Sequence, residues 1–225
     1  MKRIVFIFII LPTLLFSQFK ETSIFIEGGS YRQRNFNNSI LFEFEGGLGL
    51  FSDFWLSPEI GLTYNTGSFA GDILTFPDQF DPGLDILSEA RFNSIGYSLS
   101  PKIMLMRNEP MWWVIQPKVH FVNTTIHGDI ITYDQNFDDY FLTDTYKKRT
   151  EQVFFTLSLG LETYLPYTEK FSFAFALEYT SIALGDNFDK FILDPSIDDN
   201  SIFSGIQNVG VSFKITYYPF HKETD

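Results

Sequence analysis

After Gln18 the chain alternates apolar and polar residues with period two nearly everywhere outside a few long acidic stretches. Ile95, Tyr97, Leu99, Pro101, Ile103 and Leu105 interleave with Ser94, Gly96, Ser98, Ser100 and Lys102. Phe171, Phe173, Phe175, Leu177 and Tyr179 interleave with Ser172, Ala174, Ala176, Glu178 and Thr180, and Val209 to Tyr217 repeats the pattern. Such alternation puts one residue class on each face of an extended strand, and a helix cannot sort it. Eight strands are expected, at about 22–32, 39–51, 54–67, 91–106, 111–127, 150–165, 170–185 and 202–219. "SDFW", "RNEP" and "PYTEK" read as tight turns, and between them lie long acidic stretches at about 68–90, 128–149 and 186–201. Short turns at one end and long loops at the other describe an all-β, eight-stranded antiparallel up-and-down transmembrane β-barrel.

A soluble barrel would turn the same apolar face inward, so side-chain size has to decide the orientation. The chain holds 27 phenylalanines, and its apolar faces are bulky on every strand. An eight-stranded barrel encloses only enough room for its own side chains. The faces rich in Gly, Ser, Ala and Thr therefore suit the lumen, and the bulky faces suit lipid. On that register Glu27, Glu43, Glu45, Glu59, Lys102, Lys118, Glu162, Glu178 and Lys214 point into the lumen. Buried charges need partners, and Glu59 with Lys102 on the neighbouring strand is the expected pair. This reads as a structural network filling a closed barrel, with an ion or proton path as the other possibility. His120 is expected in the lumen beside Lys118. Trp55, Trp112, Trp113, Tyr164, Tyr167, Tyr217 and Tyr218 gather at the short-turn end, as an aromatic girdle at a membrane interface does.

Lys2 and Arg3 followed by the apolar run Ile4–Phe16 form a secretory signal peptide over 1–17, with cleavage expected between Ser17 and Gln18. Residues 18–225 then form the barrel domain. The run is too short for a membrane helix. No cysteine is present, which rules out disulfides, thiolate metal sites and a lipidated N-terminal cysteine. The formal charge of −12 argues against nucleic acid as a partner. The loop aspartates lack the spacing of a calcium loop, so no metal and no cofactor are expected. His127 with Asp129 and a loop serine is the only set that could be catalytic, and it is too incomplete to make an enzyme of the chain. Apolar residues among the acidic loops suggest a protein partner or a packed barrel mouth. Lys147, Lys148 and Arg149 are placed to meet lipopolysaccharide phosphates or to form an ordinary charged rim.

"GLGLFSDFWLSPEIGLTY", Gly47 to Tyr64, resembles the second hairpin of small outer-membrane β-barrel proteins of Bacteroidota type, the OmpA-like or PorT-like group. "NVGVSFKITYYPF" is similar to the C-terminal signal read by the barrel assembly machinery, with Asn208, Gly210, Phe213, Ile215 and Phe220 as its positions. The resemblance implies an outer-membrane location, contact with outer-membrane lipids and lipopolysaccharide, and a structural or interaction role at the envelope. A narrow porin-like channel and a lipid-modifying enzyme are the alternatives. One feature cuts against a regular sheet: "SPEIGL", "SPKIML" and "QPKVHF" each carry a proline inside a strand, where its missing N–H breaks the ladder. Pro58, Pro101 and Pro117 should face lipid. Pro101 should lie opposite Pro117, with a bulge or one gap in the ladder there.

Overall fold

The computed structural model describes residues 22–33, 40–52, 54–70, 74–75, 85–107, 109–134, 139–182 and 208–220. The period-two stretches form strands β1 (Ser23–Gln33), β2 (Ile40–Gly49), β3 (Leu56–Ala70), β5 (Asp85–Leu105), β6 (Met111–Asp134), β7 (Asp139–Leu165), β8 (Thr168–Thr180) and β9 (Asn208–Tyr217). A two-residue strand, β4 (Leu74–Thr75), pairs only with β5. Every sequential pair of long strands is antiparallel. β9 pairs with β1, and β3 pairs with β5, so the eight long strands close on themselves. Closure removes the free edges that an open sheet of this length would expose.

The strands depart from the expected boundaries mainly at the long-loop end. β5 starts at Asp85, and β6 and β7 stay paired out to Asp134 opposite Asp139. Much of the segment expected to be a loop at 128–149 is thus a hairpin that continues the sheet. Its residues do not alternate cleanly because the apolar requirement on one face ends before the strands do. β8 stops at Thr180, earlier than expected. The short-turn end holds the tight connections after β2, β5 and β7. In each, one bulky residue takes a left-handed conformation: Phe51 (φ 54°), Met106 (φ 62°) and Tyr167 (φ 73°). Residues other than glycine seldom adopt this conformation.

Side chains sort between the two faces as the alternation requires. Outside, Ile26, Leu62, Ile95, Phe155, Leu157, Leu177 and Phe213 are exposed. Inside, all nine expected lumen charges are buried. On β6 the outward apolar series runs from Met111 to Phe121 and gives way at Asn123. Ten residues at ~3.4 Å each, tilted by ~40°, span about 26 Å along the barrel axis, close to the ~25 Å apolar band of membrane barrels.

Pro58, Pro101 and Pro117 all face outward, and they lie in one row across β3, β5 and β6. Pro58 is opposite Pro101. The β5–β6 ladder loses its pairing at Ser100, Pro101 and Lys102 and resumes in the same register, with Leu99 opposite Val119 and Ile103 opposite Ile115. That constant register places Pro101 opposite Pro117 across a gap, not a bulge. At this site each residue would donate its N–H to the other's carbonyl, and neither has one. Pro58 is turned the other way, toward β2. Its carbonyl accepts from the Leu50 N–H (2.9 Å), and the Ser57 hydroxyl donates to the Leu50 carbonyl (2.7 Å), taking the place of the missing proline N–H.

Candidate functional site

The candidate site is the lumen, and the inward positions of all eight long strands build it. At the short-turn end Glu162 of β7 is fully buried and surrounded by donors. Lys102 Nζ lies 3.0 and 2.7 Å from its two oxygens. Trp112 Nε1 donates to Oε2 (3.2 Å), Tyr218 donates to Oε1 (3.1 Å), and the Ser172 hydroxyl donates to the same oxygen. Trp112 stacks at a tilt on Tyr164, 4.9 Å between centroids, and packs with Met104 and Val114. Tyr164 meets Tyr218 edge-on at 6.0 Å. These rings and the Lys102–Glu162 pair fill that end of the barrel.

Above this layer Lys214 pairs with Glu59, lies 3.3 Å from Gln116 Oε1 and 3.7 Å from Glu27, and sits 4.1 Å over the Phe25 ring. Gln116 donates to Glu59 as well (2.6 Å). Lys118 forms the next centre, 2.7 Å from Glu27, 3.2 Å from Glu45 and 3.8 Å from Glu178. Ser98 donates to Glu45, and Ser158 donates to Glu178. The Tyr31 hydroxyl bonds to Glu178 and lies 3.3 Å from Glu43. Gly61 makes room for this centre: a Cβ there would fall 2.3 Å from Glu45 Oε1. His120 is fully buried and stacks on Phe154 (4.4 Å between centroids, 9° apart). Toward the long-loop end Leu41, Phe92 and Ile126 turn inward as a further apolar layer.

The expected charge network therefore assembles with all nine members inside, but its pairing differs from expectation. Glu59 does not bind Lys102. Lys102 lies opposite Ser57, not Glu59, and its long side chain crosses to Glu162 on β7. Glu59 instead takes Lys214 of β9 and Gln116 of β6. In a barrel this narrow a long side chain reaches across the lumen as readily as along the wall, so neighbouring strands have no privilege.

The aromatic girdle also needs correction. Trp55, Trp113 and Tyr167 are exposed on the outside, and Tyr217 is partly so. Trp112 has no exposed surface, Tyr218 is 3% exposed, and Tyr164 packs against Trp112, so these three line the lumen. Adjacent tryptophans in a strand must point to opposite faces, and that parity is the signal available in the sequence. Phe25, Phe92 and Phe154 also line the lumen, against the expectation that the bulky apolar side chains all face lipid. Their parity with Glu27, Ser94 and Thr156 on the same strands is again the signal available in the sequence.

Among the assembly-signal residues, Phe213, Ile215 and Phe220 are outward, Gly210 is partly buried, and Asn208 is buried and donates to the Ile182 carbonyl (3.2 Å). His127 and Asp129 are both exposed on the outer wall. The signal segment 1–17 and the loop aspartates Asp72, Asp78, Asp81, Asp138, Asp186, Asp189, Asp194, Asp198 and Asp199 lie outside the described residues. Among the described residues no three His, Cys, Asp or Glu side chains are grouped to hold a metal ion.

By sequence the chain matches no family model and no curated protein. Solved structures with a similar chain course include Neisserial surface protein A, at 8% identity and TM-score 0.43, covering 88% of this chain and 97% of that one. Another is the N-terminal β-barrel domain of Pseudomonas aeruginosa OprF, at 11% identity and TM-score 0.35, covering 87% and 96%. A third is Ail, the attachment invasion locus protein of Yersinia pestis, solved with the heparin analogue sucrose octasulfate. It is 11% identical with TM-score 0.37, covering 88% and 96%. Likenesses at this level carry no argument about function.

Proposed function

We propose that the chain is an integral β-barrel of a bacterial outer membrane with a structural or interaction role at the envelope, and that it is neither an enzyme nor a channel. One observation carries the reading: the outer wall is apolar over a membrane-sized band while the lumen is filled within that band and just beyond its long-loop edge. Trp112, Glu162 and Ser172 near one end, His120 and Thr124 further along, and Phe92 near the other have no exposed surface at all. A water-filled pore would leave exposed side chains at each of these levels. The signal-peptide pattern, the C-terminal assembly signal and the resemblance to PorT-like barrels support export and insertion by the barrel assembly machinery. Outer-membrane lipids are then its immediate surroundings, and the long-loop end is the surface available to a protein partner.

Planar-bilayer recording of the purified full chain tests the filled lumen. No single-channel steps are expected. Discrete, reproducible steps from correctly folded protein would overturn the reading in favour of a narrow channel.

A further inference from the structure

Just above the apolar band, the outer wall of β5, β6 and β7 carries two rows of polar residues in register. Asn93, Thr125 and Arg149 form the lower row, and Arg91, His127 and Lys147 form the upper. Residues directly opposite in an antiparallel ladder point to the same face. Arg91, Asn93, His127, Lys147 and Arg149 are all exposed there, and Thr125 is partly exposed. Neighbouring strands stand ~4.8 Å apart and successive same-face residues ~6.8 Å apart. Arg91 is therefore about 10 Å from Lys147, and Lys147 about 7 Å from Arg149, measured along the backbone. The acidic positions nearby are Glu89 and Asp129, opposite each other in the next row toward the long-loop end, and Glu151, in the next row toward the band. Among the described residues none of Arg91, Lys147 and Arg149 is in an ion pair.

Depth identifies what these cations meet. Ile95 ends the outward apolar series of β5. At ~40° tilt two residues along a strand rise about 5 Å along the axis, so Arg91 stands about 10 Å above Ile95 on β5, and Arg149 and Lys147 about 10 and 16 Å above Val153, the last outward apolar residue of β7. The headgroup layer of a bilayer begins at the hydrocarbon edge and is roughly 5–8 Å thick, and long basic side chains bend toward it. In a chain of net charge −12, three exposed cations just outside the apolar band on two strands of one wall are not a random scatter. We propose that Arg91, Lys147 and Arg149 form a binding site for the phosphate groups of an anionic lipid in the outer leaflet, with Asn93 and Thr125 adding polar contacts. Guanidinium groups bind phosphate oxygens in pairs of parallel hydrogen bonds, and an ammonium adds a point charge.

The site rests on the membrane reading given above, and the test separates the two. The full chain is folded into phosphatidylcholine vesicles containing a minor fraction of bis-phosphorylated lipid A, or the same lipid stripped of phosphate. Lipid that stays with the protein after extraction is measured by mass spectrometry. The wild type is expected to retain the phosphorylated lipid selectively. The variant R91Q/K147Q/R149Q should lose about tenfold or more of that retention, equivalent to ~1.4 kcal/mol, while R107Q/K170Q at the short-turn end should not. Equal retention by the triple variant, or equal retention of the phosphate-free lipid, overturns the site alone. Displacement by inorganic phosphate at matched phosphate concentration also overturns it, because the site would then be one for the free anion. Failure of the wild type to insert into either vesicle overturns the membrane reading and the site with it.

Discussion

Replacing Lys118 with methionine is the sharpest test of the lumen network. The residue is 1% exposed, and its ammonium is the common partner of Glu27, Glu45 and Glu178 at 2.7, 3.2 and 3.8 Å. Methionine keeps most of the volume and removes the charge, so the effect is electrostatic and not a cavity. Breaking one buried ion pair by deleting one partner costs about 3–5 kcal/mol, because the other charge stays buried and uncompensated. Three carboxylates are affected here. Glu45 and Glu178 keep serine donors, and Glu27 keeps Lys214 at 3.7 Å, so the penalties do not simply add. A loss near the upper end, about 5 kcal/mol, is expected. Lys102→Met should cost less, about 3 kcal/mol, because Glu162 keeps the Trp112, Ser172 and Tyr218 donors. Equilibrium urea unfolding in neutral-lipid vesicles, with slopes checked against wild type, measures both variants. Adding Glu45→Gln to Lys118→Met should recover about 1–3 kcal/mol as a coupling between contacting residues. A loss below about 1 kcal/mol for Lys118→Met would refute the network as a stabilising element. So would a larger loss for Lys102→Met, since the ranking follows from the donor counts alone.

Two further outcomes check the assignment of faces and the proline row. In variants retaining one tryptophan each, brominated lipid should quench Trp55 and Trp113 strongly and Trp112 weakly. Equal quenching of Trp112 and Trp113 would contradict the parity that separates the lumen ring from the wall. The double variant P101V/P117V should gain about 1–3 kcal/mol, from two restored ladder bonds at ~0.5–1.5 kcal/mol each. P58V should gain less, because the Ser57 hydroxyl already occupies the Leu50 carbonyl. No gain from P101V/P117V in the same unfolding assay would show that the gap between β5 and β6 carries no penalty, and an equal gain from P58V would show that the Ser57 hydroxyl does not replace the missing N–H.

What the sequence made legible was whatever the membrane and the pleat jointly impose. Alternation with bulky residues on one face determines which side of each strand is outside, so Pro58, Pro101 and Pro117 and all nine lumen charges are placed correctly from the residues alone. Taking "NEP" as the loop that closes on Arg107 and Met111 sets Pro101 against Pro117 by counting back along both strands, and the break in the ladder follows from the chemistry of proline. The pairing of Pro58 with Pro101 needed the register between β3 and β5, whose connection is long and offers no turn from which to count. Partner choice in the lumen was not legible for a related reason. Strand neighbours restrict backbone pairing, but a lysine in an eight-stranded barrel reaches carboxylates on most of the wall. The choice of Glu162 for Lys102 depends on depth along the axis, which accumulates from every strand's offset around the ring. The register of β5, β6 and β7 brings Arg91, His127 and Lys147, separated by 36 and 20 positions in the chain, into one row of the outer wall. There the alternation no longer sorts apolar from polar, because both faces meet a polar medium. The stretch in which strand signals fade is therefore also the stretch in which exposed charges on the outer wall become informative about the membrane surface.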